Sequence, residues 1–274
     1  MDDSKTTLVT RRELLQIMLG AGISVGAAVV LAEPLSPIIR GYFERLEPEG
    51  TIGRDSRDQP HWGMVIDLGK CIGCEYCVYA CQATNDVPDD MRWNVHLVDE
   101  TPTGDIFHMT RPCLHCQNAP CVKVCPVQAT YVRDDGLVIM DYDRCIGCRY
   151  CQAACPYDAR VFNWDSRGDE TLPYVPEWGA PEVERRARGV VEKCTFCIHR
   201  IDEAAERGLT PGIDTDVTPA CVNVCPVEAR YFGDLNDPSS PVAQIISSTP
   251  TLRLRNDLGT EASVYYIPPR GLAI

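Results

Sequence analysis

The sequence predicts an α+β fold of two nested, internally repeated units with short strands and helices, preceded by an N-terminal signal or anchor segment. Three observations carry this prediction. Sixteen of the 274 residues are cysteines, and they fall into four groups with none left over. The groups lie in duplicated segments. A long uncharged apolar run precedes them all.

That run comes first along the chain. Leu14 to Ala32 read LLQIMLGAGISVGAAVVLA, preceded by Arg11, Arg12 and Glu13. The stretch from Thr10 to Leu15 resembles the twin-arginine export signal, read by a transporter that moves folded proteins, with Leu14 and Gln16 in place of the commoner Phe and Lys. A run of this length at helical rise nearly crosses a bilayer core. Residues 1–32 therefore read as a signal with a loose cleavage site at Val30, Leu31 and Ala32, or as a membrane anchor. Residues 33–60, rich in Pro, Gly and charge, read as a linker with a short helix from Ile38 to Leu46.

From Trp62 onward, short strand-like runs such as Gly63 to Leu68 alternate with cysteine groups and Pro or Asp turns. Cys71-Ile-Gly-Cys74-Glu-Tyr-Cys77-Val-Tyr-Ala-Cys81 recurs as Cys145-Ile-Gly-Cys148-Arg-Tyr-Cys151-Gln-Ala-Ala-Cys155. Cys121-Val-Lys-Val-Cys125-Pro-Val-Gln-Ala-Thr-Tyr131 recurs as Cys221-Val-Asn-Val-Cys225-Pro-Val-Glu-Ala-Arg-Tyr231. The body, 61–235, thus reads as two ferredoxin-like units, an inner one (105–165) nested in an outer one (61–100 with 190–235). An insertion at 166–190, with Pro173, Pro176 and Pro181, reads as a solvated loop. The tail, 236–274, is expected to pack on the domain with one helix and a strand at Ser263 to Ile267.

The cysteine spacing has a chemical reason. The groups are Cys71, Cys74, Cys77, Cys81; Cys113, Cys116, Cys121, Cys125; Cys145, Cys148, Cys151, Cys155; and Cys194, Cys197, Cys221, Cys225. Three thiolates two residues apart wrap a tight loop around three iron corners of a cubane. The fourth, on a helical turn, points away to a neighbouring cluster, as in two-cluster ferredoxins. Pro126, Pro156 and Pro226 follow the last cysteine of three groups, while Gln82 follows Cys81 in the first. Zinc sites rarely use a third cysteine two residues on, and packed CxxCxxC runs favour metal over disulfides. Four [4Fe–4S] clusters are the expected cofactors.

Formal charge is −13, from 26 Lys and Arg against 39 Asp and Glu, and residues 1–32 contribute nothing to it. An acidic body without a basic stripe excludes nucleic acid as an expected partner. The same acidity predicts partners with basic docking surfaces. No Gly-rich nucleotide loop, no CxxCH haem signature and no leftover cysteine is present. Fully thiolate-ligated cubanes offer no open coordination site, so no catalytic residue is expected and the chain reads as a carrier of single electrons, not an enzyme.

Over Trp62 to Gly233 these motifs resemble the four-cluster ferredoxin-like subunits of membrane-bound oxidoreductases, the family that serves dimethyl sulfoxide, polysulfide and tetrathionate reductases. The resemblance implies nested, crossed ligation. One cluster takes Cys71, Cys74, Cys77 and Cys225, and its neighbour Cys81, Cys194, Cys197 and Cys221. In the inner unit one takes Cys113, Cys116, Cys121 and Cys155, the other Cys125, Cys145, Cys148 and Cys151. It also implies two partners: a catalytic subunit, of molybdopterin type, and a polytopic quinone-interacting membrane subunit. Subunits serving a hydrogenase or cytochrome nitrite reductase are the alternative, and a self-standing iron–sulfur enzyme the remote one. The expected location is the periplasm or outer face of the cytoplasmic membrane.

Finer expectations concern tuning. Arg149 occupies the position equivalent to Glu75, so the cluster held by Cys145, Cys148 and Cys151 is expected at the higher potential. His115 and His199 are expected to pack or hydrogen-bond near clusters without ligating. Tyr76, Tyr131, Tyr150 and Tyr231 are expected to be cluster-shielding core residues.

Overall fold

The computed structural model describes residues 59–164 and 180–272, all within Gly53–Ile274, the second of two compact units of the chain. The signal or anchor, the helix expected at Ile38 to Leu46 and nearly all of the linker lie outside the described residues, as do Asp165 and 166–179 of the insertion. Among the described residues no helix is long and apolar enough to cross a membrane.

Short elements are what a chain pinned at sixteen cysteines can form. Strand β1 (Trp62–Asp67) leads into the first cysteine group and helix α1 (Tyr76–Asn85). A hairpin follows, β2 (Val95–Glu100) with β3 (Ile106–Arg111). The second group carries α2 (Pro120–Lys123) and then β4 (Thr130–Val132), and β5 (Val138–Met140) leads into the third group on α3 (Tyr150–Ala154). Strands β6 (Val161–Phe162) and β7 (Val191–Glu192) flank the insertion and pair with each other. The fourth group spans α4 (Ile198–Arg207) and α5 (Ala220–Asn223), and is followed by β8 (Arg230–Asp234), α6 (Pro241–Ser248) and β9 (Val264–Ile267).

The pairing of strands repeats the pairing expected of the cysteine groups. β1, before the first group, runs antiparallel to β8, after the fourth. β5, before the third, runs antiparallel to β4, after the second. The correspondence reaches single bonds: the Asp67 amide donates to the Ala229 carbonyl and the Asp141 amide to the Ala129 carbonyl, each at 2.7 Å. Each aspartate then turns the chain into its cysteine loop. Asp67 Oδ1 accepts from the Gly69 and Lys70 amides, Asp141 Oδ1 from Asp143 and Arg144.

The tail does more than cover the surface. β9 adds to the far edge of β1, in parallel, to give the sheet order β8-β1-β9, and Ser240 caps α6 by accepting from the Ala243 amide. Met64, Ile66, Phe232, Val264 and Tyr266 of that sheet are buried, and Phe196 packs edge to face against Phe232. Each such side chain contributes about 1.5–3 kcal/mol of burial.

Gln82 shows what the departure from Pro does. Where Pro156 follows Cys155, that cysteine is forced into an extended conformation and α3 stops after Ala154. After Cys81 the helix runs on to Asn85, and the buried Gln82 amide ties down the next loop through the Pro88 and Met91 carbonyls.

Most of the insertion expected to be a solvated loop lies outside the described residues, and of the rest Pro181, Glu182, Glu184, Ala187 and Arg188 are exposed. Its described end is held to the body: Arg185 pairs with Asp86, Arg186 with the fully buried Glu192, and Glu182 with Arg200 and His199.

Candidate metal centres

Left-handed backbone turns the cysteine loops inward. In Cys-Ile-Gly-Cys the glycine has φ of 70° at Gly73 and 67° at Gly147, and Glu75 and Arg149 follow at 60° and 61° to open α1 and α3. Successive sulfurs therefore face one space instead of alternating outward. Cys71, Cys74 and Cys77 line one cavity together with Cys225, brought in by β8. Cys145, Cys148 and Cys151 line another with Cys125, which precedes β4. Apart from sulfur the walls are mainly apolar, including Ile66, Val227 and Ala229 in the first and Val127, Ala129 and Met140 in the second.

Seven of the other eight cysteines are buried, and they crowd one another. Burial pushes the Cys81 thiol well up, and Cys194, Cys197 and Cys221 push it further. Burial pushes Cys116 up to about 12, with Cys113, Cys121 and Cys155 adding to it. Four sulfurs in one dry space cannot all ionise without a cation among them, and iron is a cation that thiolates bind. All sixteen thiols are free of disulfides, and only Cys74 and Cys148, one in each cavity, are exposed. The residues present thus fit iron–sulfur clusters in donor number and in donor chemistry.

Backbone and side-chain donors prepare the sulfurs for negative charge. In the duplicated Cys-Pro-Val segments the Ala129 amide donates to Cys125 Sγ and the Ala229 amide to Cys225 Sγ, both at 3.2 Å. The Phe196 amide reaches Cys194 Sγ at 3.4 Å. Donors of this kind stabilise thiolate and raise cluster potential.

His115 is fully buried and held neutral by that burial, with the neighbouring Lys193 charge acting the same way. Its Nδ1 accepts from the Val138 amide, its Nε2 donates to the Cys194 carbonyl, and its ring stacks on Phe196. Nε2 thus ties the second cysteine group to the fourth, and Nδ1 ties it to β5. His199 pairs with Glu182. Arg149 sits with its guanidinium over Trp164 and Phe162 at the mouth of its cavity, whereas Glu75 pairs with Arg92 and His96.

The tyrosines are a correction. Tyr76, Tyr131 and Tyr150 are 50%, 42% and 63% exposed, and Tyr231 is half-buried with its hydroxyl taking a bond from Lys70. Tyr76 and Tyr150 each open a helix on the outer side of a cysteine loop, the wrong side to shield its cavity.

Three functional candidates escape a reading of the cysteines: Arg160, Lys193 and Arg230, all buried and all facing sulfur. A signal was available. Cys155-Pro-Tyr-Asp-Ala-Arg160 and Cys225-Pro-Val-Glu-Ala-Arg230 place an arginine five residues after a cysteine, twice.

Comparison with known proteins agrees with this chemistry. Two family profiles, each described as a 4Fe-4S dicluster domain, match the chain, one at residues 105–171 and one at 70–129 and 144–229. A Halobacterium salinarum protein provisionally named as an iron–sulfur subunit of dimethyl sulfoxide reductase is 47% identical, over 76% of this chain and 79% of its own. A selenate reductase subunit from Mesobacillus selenatarsenatis is 35% identical over 97% of this chain and 100% of its own. The iron–sulfur cluster-binding subunit of menaquinone reductase from Nitratidesulfovibrio vulgaris is 42% identical over 76% and 89%.

Proposed function

Because the chain belongs to the family of 4Fe-4S dicluster subunits of reductase complexes, we propose that it is the wire of such a complex, a row of four [4Fe–4S] clusters joining two other subunits. The clusters supply reversible one-electron chemistry when bound; the chain holds them apart from water and in series. One end of the row serves a catalytic subunit of molybdopterin type. The other serves a membrane subunit that exchanges electrons with quinone, in keeping with the menaquinone named for one relative.

The observation that carries this reading is the composition of the cavities. Each of the two takes three sulfurs from one cysteine group and a fourth from another, Cys225 lying 148 residues beyond Cys77 and Cys125 lying 20 before Cys145. That supports crossed ligation, with Cys71, Cys74, Cys77 and Cys225 holding cluster A and Cys125, Cys145, Cys148 and Cys151 holding cluster D. Cys81, Cys194, Cys197 and Cys221 hold cluster B; Cys113, Cys116, Cys121 and Cys155 hold cluster C. Strand pairs β1–β8 and β4–β5 support two nested units with the same partition. Clusters A and D, each with one exposed cysteine, are the ends where partners dock.

Arg11 and Arg12 with the apolar run behind them support export of the folded, cluster-loaded chain and a position on the outer face of the cytoplasmic membrane. The functional test uses the native assembly isolated anaerobically from membranes. Its cluster EPR signals are expected to equilibrate with a quinone/quinol couple only while the membrane subunit is present. Equilibration of the purified chain alone, or its turnover of a substrate without partners, contradicts the reading.

A further inference from the structure

Three cations are buried with no carboxylate to neutralise them. Arg160 is 1% exposed, Lys193 0% and Arg230 4%, and among the described residues none of them forms an ion pair with Asp or Glu. Arg186 gives the contrast. It is buried as well, but it lies 3.0 Å from the Glu192 carboxylate. A cation taken out of water needs an anion close by, and the groups near these three that can carry negative charge are chiefly cysteine thiols.

The two arginines have the same setting. Arg160 donates to Thr130 Oγ1 at 2.8 Å, to Met140 Sδ at 3.0 Å and to Cys121 Sγ at 3.1 Å. Arg230 donates to Thr110 Oγ1 at 2.7 Å and to Met64 Sδ at 3.3 Å, and it lines the cavity of Cys71, Cys74, Cys77 and Cys225. A hydroxyl and a thioether are neutral, so each cradle orients a guanidinium without cancelling its charge. Lys193 is fixed by the Cys194 carbonyl at 2.8 Å and by the Val138 carbonyl.

The sulfurs that act on each cation come from two ligand sets, never one. For Arg230 they are Cys221, Cys77 and Cys194, from B and A. For Lys193, whose pKa burial lowers, they are Cys113, Cys194 and Cys121, from C and B, each favouring the charged ammonium. For Arg160 they are Cys121, Cys151 and Cys113, from C and D.

We propose that Arg230, Lys193 and Arg160 are counter-ions built into the three gaps of the row A–B–C–D, one cation per gap, each favouring the reduced state of the two clusters beside it. The inference rests on the ligand sets proposed above. An oxidised cubane with four thiolates carries about −2 and its reduction adds one more negative charge, so a fixed cation in a dry gap acts on both neighbours at short range. It also offsets repulsion between adjacent clusters when an electron moves from one to the next. These are positioning charges; none ligates iron.

The test is a potentiometric EPR titration of the whole assembly carrying single substitutions, with iron and sulfide counted in each. Arg160→Gln is expected to lower two of the four potentials and Arg230→Gln the other two. Each moved cluster should show a tenfold lower reduced-to-oxidised ratio at fixed ambient potential, about 59 mV for one electron. Lys193→Met should move one cluster from each of those pairs. Arg160→Lys and Arg230→Lys, which keep the charge, should stay near wild-type values.

Four loaded clusters with unmoved potentials in the glutamine variants overturn the proposal. So does movement of the same two clusters by both arginines. If a glutamine variant loses a cluster, the lysine variant decides: four clusters at native potentials support the proposal, and renewed loss reassigns the arginine to packing. A wild-type chain that does not hold four cubanes overturns the underlying ligand assignment instead, which separates the two failures.

Discussion

Cys225→Ser is expected to perturb the same cluster as Cys71→Ser, and a different one from that perturbed by Cys221→Ser, only four residues away. Cys225 lines the cavity of Cys71, Cys74 and Cys77, whereas Cys221 acts on Cys81 from within the other set. Each substitution should convert or remove one cluster of four, with loss of up to roughly a quarter of the iron. EPR spectra of the three variants check this: Cys225→Ser and Cys71→Ser should alter one shared signal, and Cys221→Ser should share its altered signal with Cys81→Ser. If Cys221→Ser and Cys225→Ser alter the same signal, ligation follows the order of the sequence and the crossed assignment is wrong.

Gly147→Ala is expected to be far more damaging than Gly73→Ala, although both glycines occupy the same place in a duplicated motif. Both have positive φ, near 70°, which costs an alanine about 1–2 kcal/mol. What differs is the neighbour. A Cβ on Gly147 would lie 2.0 Å from the Gly189 carbonyl oxygen, a backbone atom beside β7, whereas one on Gly73 would meet the His108 imidazole, a half-buried side chain that can turn aside at the cost of its hydrogen bond to His96. Overpacking against backbone adds about 1–3 kcal/mol. The total corresponds to a Tm lower by roughly 5–15 °C for a domain of this size. Thermal unfolding of both holo variants checks the order, and Gly147→Ala should also lose the signal of cluster D first. Equal destabilisation of the two variants would mean that φ alone, not the approach of Gly189, sets the cost.

The features that the sequence reveals are those whose cause is local. Three cysteines two residues apart need only a tight loop, so the motif is legible without knowing the fold. Duplication then points to strands at matching places, and β1 lies one residue from where the run Gly63 to Leu68 suggests. Tyr76 and Tyr150 mislead because an aromatic residue between two cysteines suggests a shield, while the left-handed residue before each turns it to the outer face. Arg160 and Arg230 are hard to find for the opposite reason. Charged side chains are almost never buried unless paired, and their partners, Cys121 and Cys151 or Cys221 and Cys77, lie 9 to 153 residues away. The parallel edge strand β9 and the ion pairs of Glu182 and Arg186 depend likewise on contacts between distant segments.

An electron-transfer row of four cubanes is the central claim, and an anaerobic reductive titration of the native assembly, followed by EPR with iron, sulfide and zinc counted on the same sample, tests it most directly. The account predicts four one-electron reductions per chain, each assignable to a [4Fe–4S] centre, with iron and sulfide in equal amounts. Uptake of fewer than four electrons, or stoichiometric zinc with little iron, would contradict it.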